Sequence, residues 1–172
     1  EALDDADRFD VIFSNATLHW VADHRRLAAN CVRALKSGGR LHWNFAADGN
    51  CPTFIRIVRE AMAGPACCTF FAAFRWPWHT PVVADYGENF RNLGLMQLAI
   101  EEQNADRYFA DADEMIRWID QPSLLPFLAV LPETQRQAFR DGVVEAMVAA
   151  CRQPDGRCFE SFRRLHLVGV KA

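Results

Sequence analysis

The stretch Ser14-Asn15-Ala16-Thr17-Leu18-His19-Trp20 gathers a hydroxyl, a carboxamide, an imidazole and an indole on one short segment. Trp20 offers an indole N–H that can donate to a carboxylate while its ring packs against an apolar group; the alternative for such a tryptophan is core packing. His19 can also donate, although a histidine in a turn ahead of a helix is commonly just solvated. Ser14 and Asn15 can position a loop or a ligand, with plain turn chemistry as their alternative. Away from this cluster, Arg75 stands between Phe74 and Trp76, where cation–π stacking competes with ligand binding. These groups bind and orient; metal and thiol chemistry are not expected beside them. The cysteines at 31, 51, 67, 68, 151 and 158 form no CxxC pair and have no histidine at ligand spacing. They read as reduced core thiols, which implies a reducing, cytoplasmic compartment.

The elements that must position these groups follow from the apolar pattern. Phe9 to Phe13 is a β-branched and aromatic run that reads as a buried strand ending in the polar segment. Asp23 can cap a helix carrying Leu27, Cys31, Ala34 and Leu35 on one face, and Gly38-Gly39 is expected to stop it with a left-handed cap. Arg40 to Phe45 is a second strand, most simply parallel to the first through a right-handed crossover, so the fold class is α/β. In such sheets ligands lie beyond the carboxyl ends of the strands, which points to the loops after Phe13 and Phe45. A helix follows from Pro52, with Phe54, Ile55, Val58 and Met62 as its stripe. From Gly64 to Pro81 aromatics interleave with Pro and Arg without a clean period, which suggests a lid or substrate wall, taken over 50–93 as an insertion in a single domain. Val82 to Leu93 is expected to be helical and stopped by Gly94. Leu95 to Tyr108 suits one long edge strand, and Asp111 can cap a helix ending at Pro122. A helical turn spans 123–130, and a long helix after Pro132 aligns Phe139, Val143, Met147 and Ala150. Cys158 to Lys171 is a closing strand, and its His166, like His42 of the earlier strand, is expected to be a satisfied core histidine.

The 172 residues, 51% hydrophobic and 24% charged, suit one globular core, and a formal net charge of -3 with dispersed arginines gives no basic footprint for nucleic acid. No apolar run approaches the roughly 18–20 residues that a membrane helix needs. The acidic start lacks the features of a secretory signal and has no initiator Met, so the chain is expected to begin mid-protein.

The run FDVIFSNATLHWV, followed through the helix by Leu35-Lys36-Ser37-Gly38-Gly39, resembles the post-strand-four motif of class I S-adenosylmethionine-dependent methyltransferases. SNATLHWVADH, MIRWI, LLPFLAVLPETQRQAF and the ending PDGRCFESFRRLHLVGVKA extend the likeness to small-molecule carboxyl methyltransferases, the trans-aconitate methyltransferases first among them. The resemblance implies a Rossmann-like sheet ordered 3-2-1-4-5-7-6 with strand seven antiparallel. Strand four would be Asp10–Ser14, strand five Leu41–Phe45, strand six about Leu98–Gln103 and strand seven Phe159–Val170, strands one to three being absent. It implies S-adenosylmethionine as cofactor and a small-molecule carboxylic acid as acceptor. Cofactor contacts would fall on Ser14, Asn15, Ala16 and the trace of an adenine-side loop at Ala2. Trp20 and His19 would serve catalysis, and Trp20, Arg75, Tyr86 and Arg164 the substrate, with a structural ion pair as the alternative for Arg164. The Gly-rich turn on which the family binds its cofactor has no counterpart, since the nine glycines form no GxGxG after a strand. The chain alone is therefore expected to methylate poorly. Alternatives are a carbon or phenol-oxygen methyltransferase of the same fold and a non-catalytic binding or dimerisation module. An unpaired edge at Asp10–Ser14 would invite self-association.

Overall fold

A computed structural model describes residues 6–121 and 123–172. Ala2 and Pro122, both singled out above, lie outside the described residues. The chain divides into two compact units, one taking the chain to Asn50 with Trp78–Ala105 and Phe162–Ala172, the other Cys51–Pro77 with Asp106–Ser161.

The first unit opens with β1 (Phe9–Asn15), α1 (His24–Ala34) and β2 (Leu35–Ala46). Asp23 caps α1 as expected, its carboxylate accepting from the Arg26 N–H at 2.9 Å. The helix ends four residues before Gly38, at Ala34. Gly38-Gly39 therefore forms a bulge inside β2 and not a helix cap: Phe9 pairs with Leu35 but Val11 already pairs with Arg40. Gly38 takes a φ of +75°, and a Cβ on Gly39 would lie 2.8 Å from the Lys36 carbonyl oxygen.

After an excursion through the second unit, a 3-10 stretch at Val83–Phe90 replaces the longer helix expected over 82–93. The sheet is completed by β3 (Leu95–Asn104) and, at the end of the chain, a strand over Arg163–Lys171. β1 and β2 are parallel, and the terminal strand lies antiparallel between β2 and β3. This is the 4-5-7-6 order that the resemblance implies. One face buries Leu41, Trp43 and Phe45 of β2 with Leu165 and Leu167, against α1 and the 3-10 stretch. The other face is exposed. His42 and His166 lie on it and not in the core, with their Nε2 atoms 2.8 Å apart. Alternation explains the difference: they stand one residue out of phase with the buried leucines and aromatics.

In the second unit lie α2 (Pro52–Ala63), β4 (Arg107–Phe109), α3 (Ala112–Ile119), α4 (Leu125–Val130), α5 (Glu133–Cys151) and β5 (Cys158–Glu160), with the terminal strand of the first unit thus β6. β4 pairs antiparallel with β5. The single strands expected over 95–108 and 159–170 are each broken in two, because one half of each pairs in either unit. On α5 the buried face is Phe139, Val143, Met147 and Cys151, with Ala150 exposed. The N-terminus of α2 is closed by Glu160, which is 1% exposed and accepts from the Phe54 N–H at 2.9 Å and the Ser161 N–H at 2.9 Å. Burial raises its pKa, and those N–H groups pull it back.

Candidate functional site

The apolar run of β1 delivers Asn15 to the carboxyl edge of the sheet, where the chain turns sharply. Ala16 adopts a left-handed φ of +56°, which costs a non-glycine residue about 1–2 kcal/mol, and its N–H donates to the Asn44 carbonyl at 2.7 Å. The Thr17 hydroxyl closes back on the Asn15 carbonyl at 3.0 Å. Leu18–Trp20 then forms one 3-10 turn, with Leu18 buried and Trp20 exposed.

Because β6 runs against β2, its first residues stand at the same edge, and Arg164 arrives beside Asn15. Its Nη2 donates to Asn15 Oδ1 at 3.0 Å and to the Asn44 carbonyl at 3.3 Å, while its Nε donates to Asn44 Oδ1. The Asn44 amide in turn donates to Gln103 Oε1 at 2.8 Å. A polar row thus crosses all four strands. It presents a guanidinium whose plane is set by two asparagines.

His19 is half-buried and its Nδ1 has no hydrogen-bond partner among the described residues. Burial first, then the charge of Arg164 and the ring of His24, push its pKa down to about 4. It is a neutral imidazole near pH 7, able to donate from one nitrogen and accept at the other. The expectation of a solvated turn histidine does not match this placement. Its carbonyl accepts from the His79 N–H at 2.8 Å. The Trp20 ring lies 5.5 Å from that of His19 and meets Trp78 edge-on at 5.7 Å, so it belongs to an exposed aromatic group and not to the core.

Ser14, Asn15, Ala16, His19, Trp20 and Arg164 are thus brought together in the first unit. Tyr86 is not at this surface: it is 1% exposed, and its hydroxyl lies 2.6 Å from His24 Nδ1. Arg75 is exposed in the second unit, where Arg59 and not Arg75 stacks over Trp76, at 4.8 Å from the ring centroid. The lid expected over 50–93 divides, 51–77 lying in the second unit and 78–93 in the first. Asn44, Gln103, His24 and His79 were not singled out by sequence. Only the shared alternation of 42 with 44 and of 164 with 166 hinted at Asn44. All six cysteines are free thiols, five of them buried, and no cluster among the described residues could hold a metal ion.

A family model described as a methyltransferase domain matches residues 2–43, which include β1, the motif turn and α1. Trans-aconitate 2-methyltransferase of Agrobacterium fabrum is 28% identical over 169 residues, covering 96% of this chain and 65% of its own length. That of Azoarcus sp. is 29% identical over 171 residues, covering 94% of this chain and 63% of its own. The chain is thus similar over most of its length to these methyltransferases. It spans slightly less than two thirds of the length of these curated relatives. Among solved structures, loganic acid methyltransferase with SAH superposes with a TM-score of 0.65 at 8% identity, over 99% of this chain and 64% of that one. The YcgJ protein of Bacillus subtilis superposes at 0.51 and 15% identity, over 99% and 67%. Both likenesses concern the fold.

Proposed function

We propose that this chain carries the acceptor side of an S-adenosylmethionine-dependent methyltransferase that esterifies a small-molecule carboxylic acid in the cytoplasm. The observation that supports it is the Arg164 guanidinium, oriented by Asn15 and Asn44 beside His19 and Trp20 at the carboxyl ends of β1 and β2. The names of the trans-aconitate relatives point to the same acceptor class.

A carboxylic acid with a pKa of about 4 is already ionised near pH 7, so its oxygen needs no general base. The work of this site is orientation. Arg164, held by Asn15 and Asn44, places a fixed positive charge at this edge that draws a carboxylate and favours an acceptor with a second acid group. Neutral His19 and the Trp20 indole N–H then stand as donors to the oxygen of the reacting carboxylate that does not take the methyl. Trp20 and Trp78 form an aromatic wall that limits water at the reacting oxygen. When bound, S-adenosylmethionine supplies an electrophilic methyl on a sulfonium. Ser14, Asn15 and the small, exposed Ala16 would border it. Rate then depends on holding the acceptor oxygen about 3–3.5 Å from that methyl, in line with the bond that breaks.

Transfer of labelled methyl from S-adenosylmethionine to trans-aconitate by the natural protein tests this function. Label that mild alkali releases fits an ester and supports the proposal. Alkali-stable label would move the assignment to carbon or phenolic oxygen, and no transfer to any carboxylic acid would remove it.

A second reading concerns association. β1 lies at the edge of the sheet, with Val11 and Phe13 exposed by 56% and 64%. We propose that this strand, Asp10 to Ser14, pairs with a second copy when nothing else covers it.

A further inference from the structure

His24 opens α1, five residues after the motif histidine, and no role falls to it in the acceptor chemistry above. Its ring is 3% exposed and packs on Phe45 at 5.3 Å and on His79 at 4.4 Å between centroids. Nε2 lies 3.0 Å from the Leu18 carbonyl oxygen, and Nδ1 lies 2.6 Å from the Tyr86 hydroxyl. A carbonyl can only accept, so Nε2 carries the proton. In the neutral ring Nδ1 is then an acceptor, and the Tyr86 O–H donates to it. Both hydrogen bonds are satisfied by one tautomer alone.

We propose that His24 is a positioning residue that latches the Leu18–Trp20 turn onto Tyr86 through its neutral Nε2–H tautomer. The turn so held is the one that carries His19 and Trp20, and the His79 N–H to the His19 carbonyl fastens it a second time. Protonating His24 would make Nδ1 a donor and turn the Tyr86 hydroxyl proton away from its buried acceptor, leaving an unmet donor at a residue that is 1% exposed. The surrounding groups resist that proton. Burial lowers the His24 pKa first and His79 next, while the Leu18 and Val21 carbonyls and Asp23 oppose them. From the neighbouring elements His19 and Tyr86 face the ring neutral, and burial raises the pKa of Tyr86. The use of the latch in placing an acceptor rests on the proposed function; the latch itself does not.

The test is NMR on the isotopically labelled chain. Long-range imidazole spectra of the wild type should show His24 as the Nε2–H tautomer at neutral pH. On acidification below about pH 6.5 the Leu18 carbonyl and Trp20 amide should shift together with the His24 ring. His24→Gln can donate to Leu18 and accept from Tyr86 but cannot be protonated, so it should keep native turn resonances and lose the shifts that follow His24. His24→Ala should displace the turn at every pH. An Nδ1–H tautomer in the wild type, an undisplaced turn in His24→Ala, or unchanged pH-dependent shifts in His24→Gln would each overturn the latch. A latch that behaves as expected in a protein that methylates no acid would remove the proposed function and leave His24 in its role.

Discussion

His19 and His24 sit side by side at the motif turn, and both are held neutral by burial. The sign of their effect on stability follows from that. A ring whose folded pKa lies below its unfolded value of 6.5 gives stability that is fully present above pH 6.5. That stability is lost as the pH falls from 6.5 toward the folded pKa, about 4 for His19, because the unfolded chain takes up a proton that the folded chain refuses. Urea midpoints should therefore fall less steeply over that window in His19→Gln than in the parent; equal slopes would show that His19 titrates freely. At this scale the sequence was informative about residue types and silent about partners. His19, Trp20 and Arg164 stood out because their groups can bind an anion. Asn44 and Gln103 did not, because their place beside Arg164 depends on the register of strands about 60 and 120 residues apart in sequence. Tyr86 shows the same limit: the resemblance implied a substrate contact, but its burial gives the hydroxyl to His24.

At the scale of elements, the paired glycines illustrate how one local signal serves two geometries. A left-handed Gly ends helices, and it also forms β-bulges. Here α1 is already closed at Ala34, and Gly38-Gly39 lets β2 regain register against β1. Gly39→Ala would set a Cβ 2.8 Å from the Lys36 carbonyl and 3.1 Å from that of Phe9. It should cost about 1–3 kcal/mol by chemical denaturation, since backbone must move. Gly38→Ala meets no atom within 4 Å and suffers only from its φ of +75°. Glu160 is the corresponding case in the second unit. Glu160→Ala leaves the buried Phe54 N–H at the start of α2 and the Ser161 N–H after β5 without their carboxylate and should destabilise by about 2 kcal/mol in the same measurement. The caps of α1 and α3 were legible because Asp23 and Asp111 act on residues three positions away. The Glu160 cap spans 106 residues and was not.

For the molecule as a whole, the order and direction of the four large strands were legible from the motif and its resemblance. Their breaks were not, because β4 and β5 satisfy each other in a separate unit. The exposed edge and face bearing Val11, Phe13 and His42 are where the proposed pairing with a second copy would occur. Sedimentation velocity should show a concentration-dependent dimer that Val11→Lys with Phe13→Lys disperses; a monomer at every concentration would remove that reading. The central claim, that the edge built from β1, β2 and β6 receives a carboxylic acid, is tested most directly by titrating trans-aconitate into the labelled chain and following its NMR spectrum. Binding should perturb Asn15, His19, Arg164 and the Trp20 indole together, and Arg164→Ala should weaken it at least about tenfold, through loss of the positive charge that draws the acid. No perturbation at those residues, or affinity unchanged in Arg164→Ala, would contradict it.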